Sequence, residues 1–307
     1  MKRWLSITLC ALLMLGLLPL AAAPARMITE ASVYASPSSA YVGDQLNWWV
    51  QNVFGVGPYS YSWDIYRGYS LYKYDSTYHE GLWDYYWYAP EAGSFRVKAW
   101  VFDAGTGNAI TRLSSFIPVY LRPSPVVYQV SSNGTSGNSL YVDWNDIYGA
   151  DGYEVWRGFS RLGAYTLVAT TTNSYFYSYG LTPGTQYFFK IRTFNWVGGV
   201  RRVSGSFSGA YAGIPIGKPT VYSLYPTGRE RVFMSWSYVP GATGYQIFLG
   251  TSPYYMNAVR TTAATSMTVT GLTTGRNFYL AVKAYRRIAP NTYYGPQSDY
   301  RFVQTLR

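Results

Sequence analysis

GADGYEVWRG, residues 149–158, returns as GATGYQIFLG at 241–250, 92 positions later. The match extends in both directions. Upstream, Leu140, Val142 and Trp144 alternate in SLYVDWND, as Val232, Met234 and Trp236 do in RVFMSWSY at the same offset. Period-two alternation marks a strand with one buried face. Downstream, GLTPGTQYFFKIR at 180–192 aligns with GLTTGRNFYLAVK at 271–283, and Gly205 and Ser208 align with Gly295 and Ser298. Two units of about 90 residues therefore follow one another. A single amphipathic sheet leaves its apolar face bare, so each unit is predicted to close as two packed antiparallel sheets.

Composition agrees. The 307 residues suffice for two or three domains, and 48% hydrophobic against 13% charged residues excludes a disordered chain. Aromatic residues reach 19%, with 34 tyrosines, and glycine and proline are spread along the chain as turn punctuation, which favours strands over helices.

The pattern W-x4-GAxGYxV-x-R-G, then GLTPGTxY, then G-x2-S, resembles the fibronectin type III domains of bacterial extracellular proteins. The resemblance covers 123–307 and implies a seven-stranded, immunoglobulin-like sandwich. By the same resemblance, Trp144 and Trp236 fall on the core tryptophan, and Tyr153 and Tyr245 on the aromatic that opens the next long strand. Leu181 and Tyr187 fall on the tyrosine corner, in which a phenol caps nearby backbone. In the last unit Phe278 stands at the corner and has no hydroxyl to offer.

Residues 27–122 are read separately. Leu46, Trp48 and Val50 alternate, as do Tyr59, Tyr61, Trp63 and Ile65, and Phe95, Val97, Ala99 and Val101. YSYSWDIYRGYS takes the place of GYEVWRGFS within the unit. PEAGSFRVKAWVFDAGTG resembles the closing strand and Asp-x-Gly turn of polycystic-kidney-disease-type or bacterial Ig-like domains. The expected fold class is all-β: three tandem Ig-like/fibronectin type III sandwiches over 27–122, 123–214 and 215–307. Pro118, Pro123 and Pro125 mark the first connection, and Pro215 and Pro219 the second. Both connections are short, predicting a semi-rigid rod.

Residues 1–26 read as a cleaved secretory signal. Lys2 and Arg3 precede an apolar run over 5–20, and small residues Ala21, Ala22, Ala23 and Ala25 offer the cut. The run is short for a membrane span and contains Pro19. The single cysteine, Cys10, lies inside it, so the mature chain is expected to hold no disulfide. The expected location is extracellular, with non-covalent cell-surface association as a further expectation and no transmembrane segment once the signal is removed.

Catalytic signatures are scarce. No clustered His/Cys set suggests a metal, and neither a nucleophile elbow nor a phosphate loop is present, so neither metal nor cofactor is expected. His79 reads as a loop histidine. Asp143, Asp146, Asp151 and Glu154 cluster, but Ile147 interrupts the ligand order of a calcium loop, and they read as solvated turn residues. Asn133-Gly134-Thr135 is a glycosylation sequon.

Two features point to binding. GLWDYYWYAP at 81–90 places Trp83, Tyr85 and Trp87 on one strand face and Tyr86 and Tyr88 on the other, with Tyr72 and Tyr74 nearby. Exposed Tyr and Trp stack on sugar rings or anchor protein partners, so these seven are candidate ligand contacts for an extracellular glycan or protein. Charge is the second feature. Residues 27–122 carry a net −2, 123–214 a net +2 and 215–307 a net +8. Arg229, Arg231, Lys283, Arg286 and Arg287 are candidate contacts to an anionic cell-envelope polymer. Export and the fold disfavour nucleic acid. The expected function is non-catalytic binding or adhesion at the cell exterior. An architectural spacer and a glycan-active enzyme are the alternatives.

Overall fold

The computed structural model describes residues 27–74 and 79–307. These form tandem β-sandwiches and contain no helix among the described residues. The leader expected over 1–26, with Cys10, lies outside them. The described residues fall into two compact units. The first comprises 27–36, Asn47–Tyr86 and Phe95–Phe116, and the second Pro37–Leu46, Trp87–Ser94 and Ile117–Arg307.

Both repeats lie in the second unit and share one topology. In the first repeat, a sheet ordered Val127–Asn133, Ser139–Trp144, Tyr175–Ser178 faces a sheet ordered Tyr165–Thr171, Gly152–Gly158, Tyr187–Val197. The far edge of Tyr187–Val197 is taken by Val200–Val203 and then Tyr211–Gly213. The second repeat matches it, with Val221–Gly228, Arg231–Trp236 and Ser266–Thr270 in one sheet. The other sheet holds Tyr255–Thr262, Gly244–Ser252 and Asn277–Ile288, edged by Asn291–Gln297 and Arg301–Gln304.

The geometry explains the duplicated motif. Gly149 and Gly241 adopt φ of 74° and 78°, a left-handed turn that favours glycine. At Gly152 and Gly244 a Cβ would collide with the carbonyl of the paired strand (Thr171 and Thr262) and with an aromatic ring (Phe194 and Tyr285). The tyrosine that follows serves twice. Its ring meets the core tryptophan edge-on, Trp144–Tyr153 at 5.4 Å and Trp236–Tyr245 at 5.5 Å. Its hydroxyl accepts from the preceding loop, from the Ile147 amide at 2.8 Å and the Val239 amide at 2.9 Å. The expected corner forms at Tyr187, whose hydroxyl accepts from the Thr182 amide at 3.0 Å, while Phe278 is buried with no such bond to make.

Glu30–Ser36, Gln45–Phe54 and Asp84–Tyr88 lie side by side, and Tyr59–Arg67 pairs with Gly93–Asp103 and Ser70–Lys73; all of these residues except Gln45–Leu46, Trp87–Tyr88 and Gly93–Ser94 belong to the first unit. Trp48, Trp63, Ile65, Phe95 and Val97 are buried, as the alternation predicts. One device recurs across both units. The hydroxyls of Ser114, Ser208 and Ser298 accept from the amides of Val97, Ile191 and Val282 at 2.9–3.0 Å and donate to the next carbonyl along the chain. Sequence comparison paired only the last two.

The proline-marked connections differ from simple linkers. Pro118 lies inside the strand Ile117–Tyr120. Beyond it, Arg122, with its side chain only 4% exposed, donates to Asn195 Oδ1, the Tyr148 carbonyl and Asp44 Oδ1, the last at 2.6 Å. At the second connection, Ile214 and Ile216 are buried in the core of the last sandwich. Ser132 Oγ donates to the Ile214 carbonyl and accepts from the Ile216 amide, and Gln186 reaches Tyr293 Oη at 2.9 Å.

The tyrosine hydroxyls give a direct test. Tyr245→Phe strands the buried Val239 amide and is expected to cost about 1–3 kcal/mol in urea unfolding, with less for Tyr153→Phe because the Ile147 amide is partly open to water. Far-ultraviolet circular dichroism should stay unchanged in both variants, and equal stability to the parent chain would refute the assignment.

Candidate functional site

The outward face of the first unit's three-stranded sheet follows from its inward face. In Gln45–Phe54, Leu46, Trp48 and Val50 point into the core, so Asn47, Trp49 and Gln51 point out. Tyr34 stands opposite Trp49 in register, and the two rings stack at 5.9 Å and 15°. On the neighbouring strand Asp84 and Tyr86 also point out, and Tyr86 is 65% exposed. The Val50 amide donates to the Trp83 carbonyl at 2.8 Å and ties the two strands together. Stacked rings beside an amide and a carboxylate result: flat apolar surface edged by hydrogen-bonding groups.

The candidate aromatics divide. Tyr72, Tyr74, Trp83, Tyr86 and Tyr88 are exposed, whereas Tyr85 and Trp87 are half-buried. Tyr85 turns inward and stacks on Trp63 at 5.8 Å and Trp48 at 6.4 Å, so it is a packing residue rather than an open contact. Lys73 Nζ donates to its hydroxyl at 3.2 Å. Tyr72 packs edge-on against Phe95 at 5.6 Å. Tyr88 Oη donates to Gln45 Oε1 at 3.1 Å. Sequence reasoning missed Tyr34 and Trp49, although the parity of Leu46, Trp48 and Val50 already turned Trp49 outward.

The candidate cations do not form one cluster. Arg229 and Arg231 flank the turn in which the Glu230 carbonyl accepts from the Leu272 amide, near the start of strand Asn277–Ile288. Arg286 and Arg287 lie at that strand's far end, about 30 Å along it. There Arg286 donates to the Gly241 carbonyl at 3.0 Å. Lys283, between the two ends, lies 5.4 Å from the centre of the Phe248 ring.

No protein-family model matches the chain. The chain is 26% identical over 194 residues to chitinase A1 of Niallia circulans, covering 59% of this chain and 25% of that protein. It is 28% identical over 211 residues to exoglucanase B of Cellulomonas fimi, covering 65% of this chain and 18% of that protein. The chain thus matches only a quarter or less of either relative. Among solved structures, the FN1–FN3 domains of chicken CNTN1 align over 87% of this chain and 96% of that one, at 18% identity and a TM-score of 0.32.

The carboxylates resolve into structural roles and exposed positions. Glu154, expected as a solvated turn residue, is instead 4% exposed, because Arg192, Arg201 and the Trp156 indole converge on it. Asp151 accepts from the Trp196 amide at 2.7 Å. Asp64 accepts from the Trp100 indole at 2.9 Å. His79 belongs to a two-residue strand paired with Ser60–Tyr61 rather than to a loop. Among the described residues no three metal-ligating side chains gather. Asp103 is fully buried and accepts from the amides of Val56, Gly57 and Gly105 at 2.9–3.0 Å.

Burial pushes the Asp103 carboxyl up. The amides of Val56, Gly105 and Gly57, with the Thr106 hydroxyl, outweigh that effect and hold it below its ordinary value of 3.8. Its stabilisation is therefore complete above that value and is lost as pH falls through the lower folded one. Asp103→Ala should cost about 3 kcal/mol at neutral pH and flatten the acid limb of stability below about pH 4. An acid limb identical to that of the parent chain in pH-dependent denaturant unfolding would contradict this.

Proposed function

We propose that the chain is an exported, non-catalytic binding protein whose first unit holds a glycan on the outward face of its three-stranded sheet. The observation that carries this reading is the Tyr34–Trp49 stack beside Asn47, Asp84 and the exposed Tyr86. Aromatic faces meet the C–H faces of pyranose rings, and amide and carboxylate groups take the sugar hydroxyls. The names of the two relatives, a chitinase and an exoglucanase, support polysaccharide as the ligand class. Trp83, exposed beside Asp84, extends the contact, whereas Tyr72 lies on Ser70–Lys73, a strand of the other sheet.

A second contact involves charge. The last 93 residues carry a net +8, which suits an anionic envelope polymer. The separation of Arg229 and Arg231 from Arg286 and Arg287 favours diffuse attraction over a single pocket. An architectural role is the other reading, and the observation behind it is the buried connection through Ile214 and Ile216, which locks the two repeats together.

Co-sedimentation of the mature chain with chitin and with cellulose tests the proposal. The double variant Trp49→Ser, Tyr86→Ser should weaken retention about tenfold while leaving the thermal midpoint within a few degrees, since both side chains point outward. Salt should hardly alter binding through rings but should weaken attachment through the basic residues. Retention of neither polymer by the parent chain would reject the glycan reading.

A further inference from the structure

A second aromatic face lies in the first repeat, where sequence reasoning placed no site. Along Ser139–Trp144, Leu140, Val142 and Trp144 enter the core, so Tyr141 and Asp143 face out. Along Tyr175–Ser178, Phe176 and Ser178 turn in, and Tyr175 and Tyr177 face out. The register sets Tyr141 opposite Tyr177 and Asp143 opposite Tyr175, with Gln129 on the other side of Asp143. The rings touch in series: Tyr141–Tyr177 at 5.0 Å, Tyr141–Tyr175 at 6.1 Å and Tyr175–Tyr177 at 5.9 Å. Tyr179 continues the row, nearly parallel to Tyr177 at 6.2 Å and 20°, and is 67% exposed.

The second repeat is an internal control. Its matching strand, Ser266–Thr270, pairs in the same register, with Ser235 opposite Ser266 and Phe233 opposite Thr268. Ser266, Thr268 and Thr270 therefore occupy the outward positions filled by Tyr175, Tyr177 and Tyr179 in the first repeat. The same fold forms with small hydroxyl side chains there, so the tyrosine row exceeds what folding requires.

The chemistry of the face selects the ligand. Its outward rows carry rings, phenol hydroxyls, one carboxylate and an amide, with no lysine or arginine. A polyanion would meet Asp143 with no compensating cation. The rows also lack the outward aliphatic side chains that would form the apolar centre of a protein contact. A neutral sugar chain satisfies both parts, its C–H faces on the rings and its hydroxyls on Asp143 and Gln129. Burial, and then the charge of Asp143 beside it, push the Tyr141 phenol up, so it remains a hydrogen-bond donor.

We propose that the face formed by Tyr141, Tyr175, Tyr177 and Tyr179 is a second glycan-binding site, specific for a neutral polysaccharide strand. This rests on the reading above that the chain binds glycan. Two sites on one chain raise its retention on a polymer beyond that of either alone.

The test transplants the second repeat's residues into the first: Tyr175→Ser, Tyr177→Thr and Tyr179→Thr in the intact mature chain, assayed on chitin and cellulose. Retention should fall about tenfold, with Trp49 and Tyr86 untouched. A second measurement needs no variant: neutral chito- or cello-oligosaccharides should protect Tyr177 and Tyr179 of the parent chain from iodination, read by mass spectrometry. If the parent chain binds neither polymer, the glycan reading and this inference fall together. If it binds, but only the Trp49/Tyr86 variant loses retention and Tyr177 and Tyr179 stay unprotected, the glycan reading stands and this inference is overturned. Protection by a protein partner and not by oligosaccharide also overturns it.

Discussion

The structure depends on a buried contact made twice: the edge of one aromatic ring against another, Trp144 with Tyr153 and Trp236 with Tyr245. Each tryptophan belongs to one sheet and each tyrosine to the other, so the pair pins the sheets face to face. Pairs of this kind add about 0.5–1.5 kcal/mol beyond the area they bury. The tyrosine hydroxyl then ties down the loop leading to its own strand. Sheet spacing, loop conformation and strand register thus meet at one residue. The motif around it needs a glycine at the turn and another where the neighbouring strand passes, and this is why nearly the same ten residues are spelled twice.

Fixing the inward residues fixes the outward ones, since strand side chains alternate and a one-residue slip would exchange the faces. Trp48 in the core obliges Trp49 to face out, where it meets Tyr34. Trp144 in the core obliges Asp143 and Tyr141 to face out, where they meet the tyrosines of the adjacent strand. Core packing therefore specifies the aromatic surfaces without contributing to them. The two aromatic rows lie on three-stranded sheets, and the buried connection through Ile214 and Ile216 meets the first repeat's three-stranded sheet at Ser132, on its edge strand Val127–Asn133.

The fold was legible because its signals are local. Alternation, the glycine-flanked tyrosine and the GLTPGTxY turn each occupy a few consecutive residues, and the strands and core formed where they indicated. Features that depend on distant partners were not legible. Glu154 reads as a turn carboxylate until Arg192 and Arg201 are brought beside it. Nothing in the sequence around Arg122 signals that it is buried among Asp44, Tyr148 and Asn195. Alternation puts Tyr85 and Tyr86 on opposite faces, but which of the two packs inside is decided by the Trp48 and Trp63 rings that Tyr85 meets. The cations of the last repeat looked like one group because several are close in sequence, but an extended strand carries its two ends far apart.

The central claim is that sugar is recognised by outward rows of the three-stranded sheets, while the pinned interior stays still. A heteronuclear NMR titration of residues 27–307 with a neutral oligosaccharide addresses it directly. The account predicts shifts at Asn47, Trp49 and Tyr86, and at Tyr141, Asp143, Tyr177 and Tyr179, with the indole signals of Trp144 and Trp236 unmoved. Shifts confined to the sheets opposite, or a displacement of the Trp144 and Trp236 signals, would contradict it.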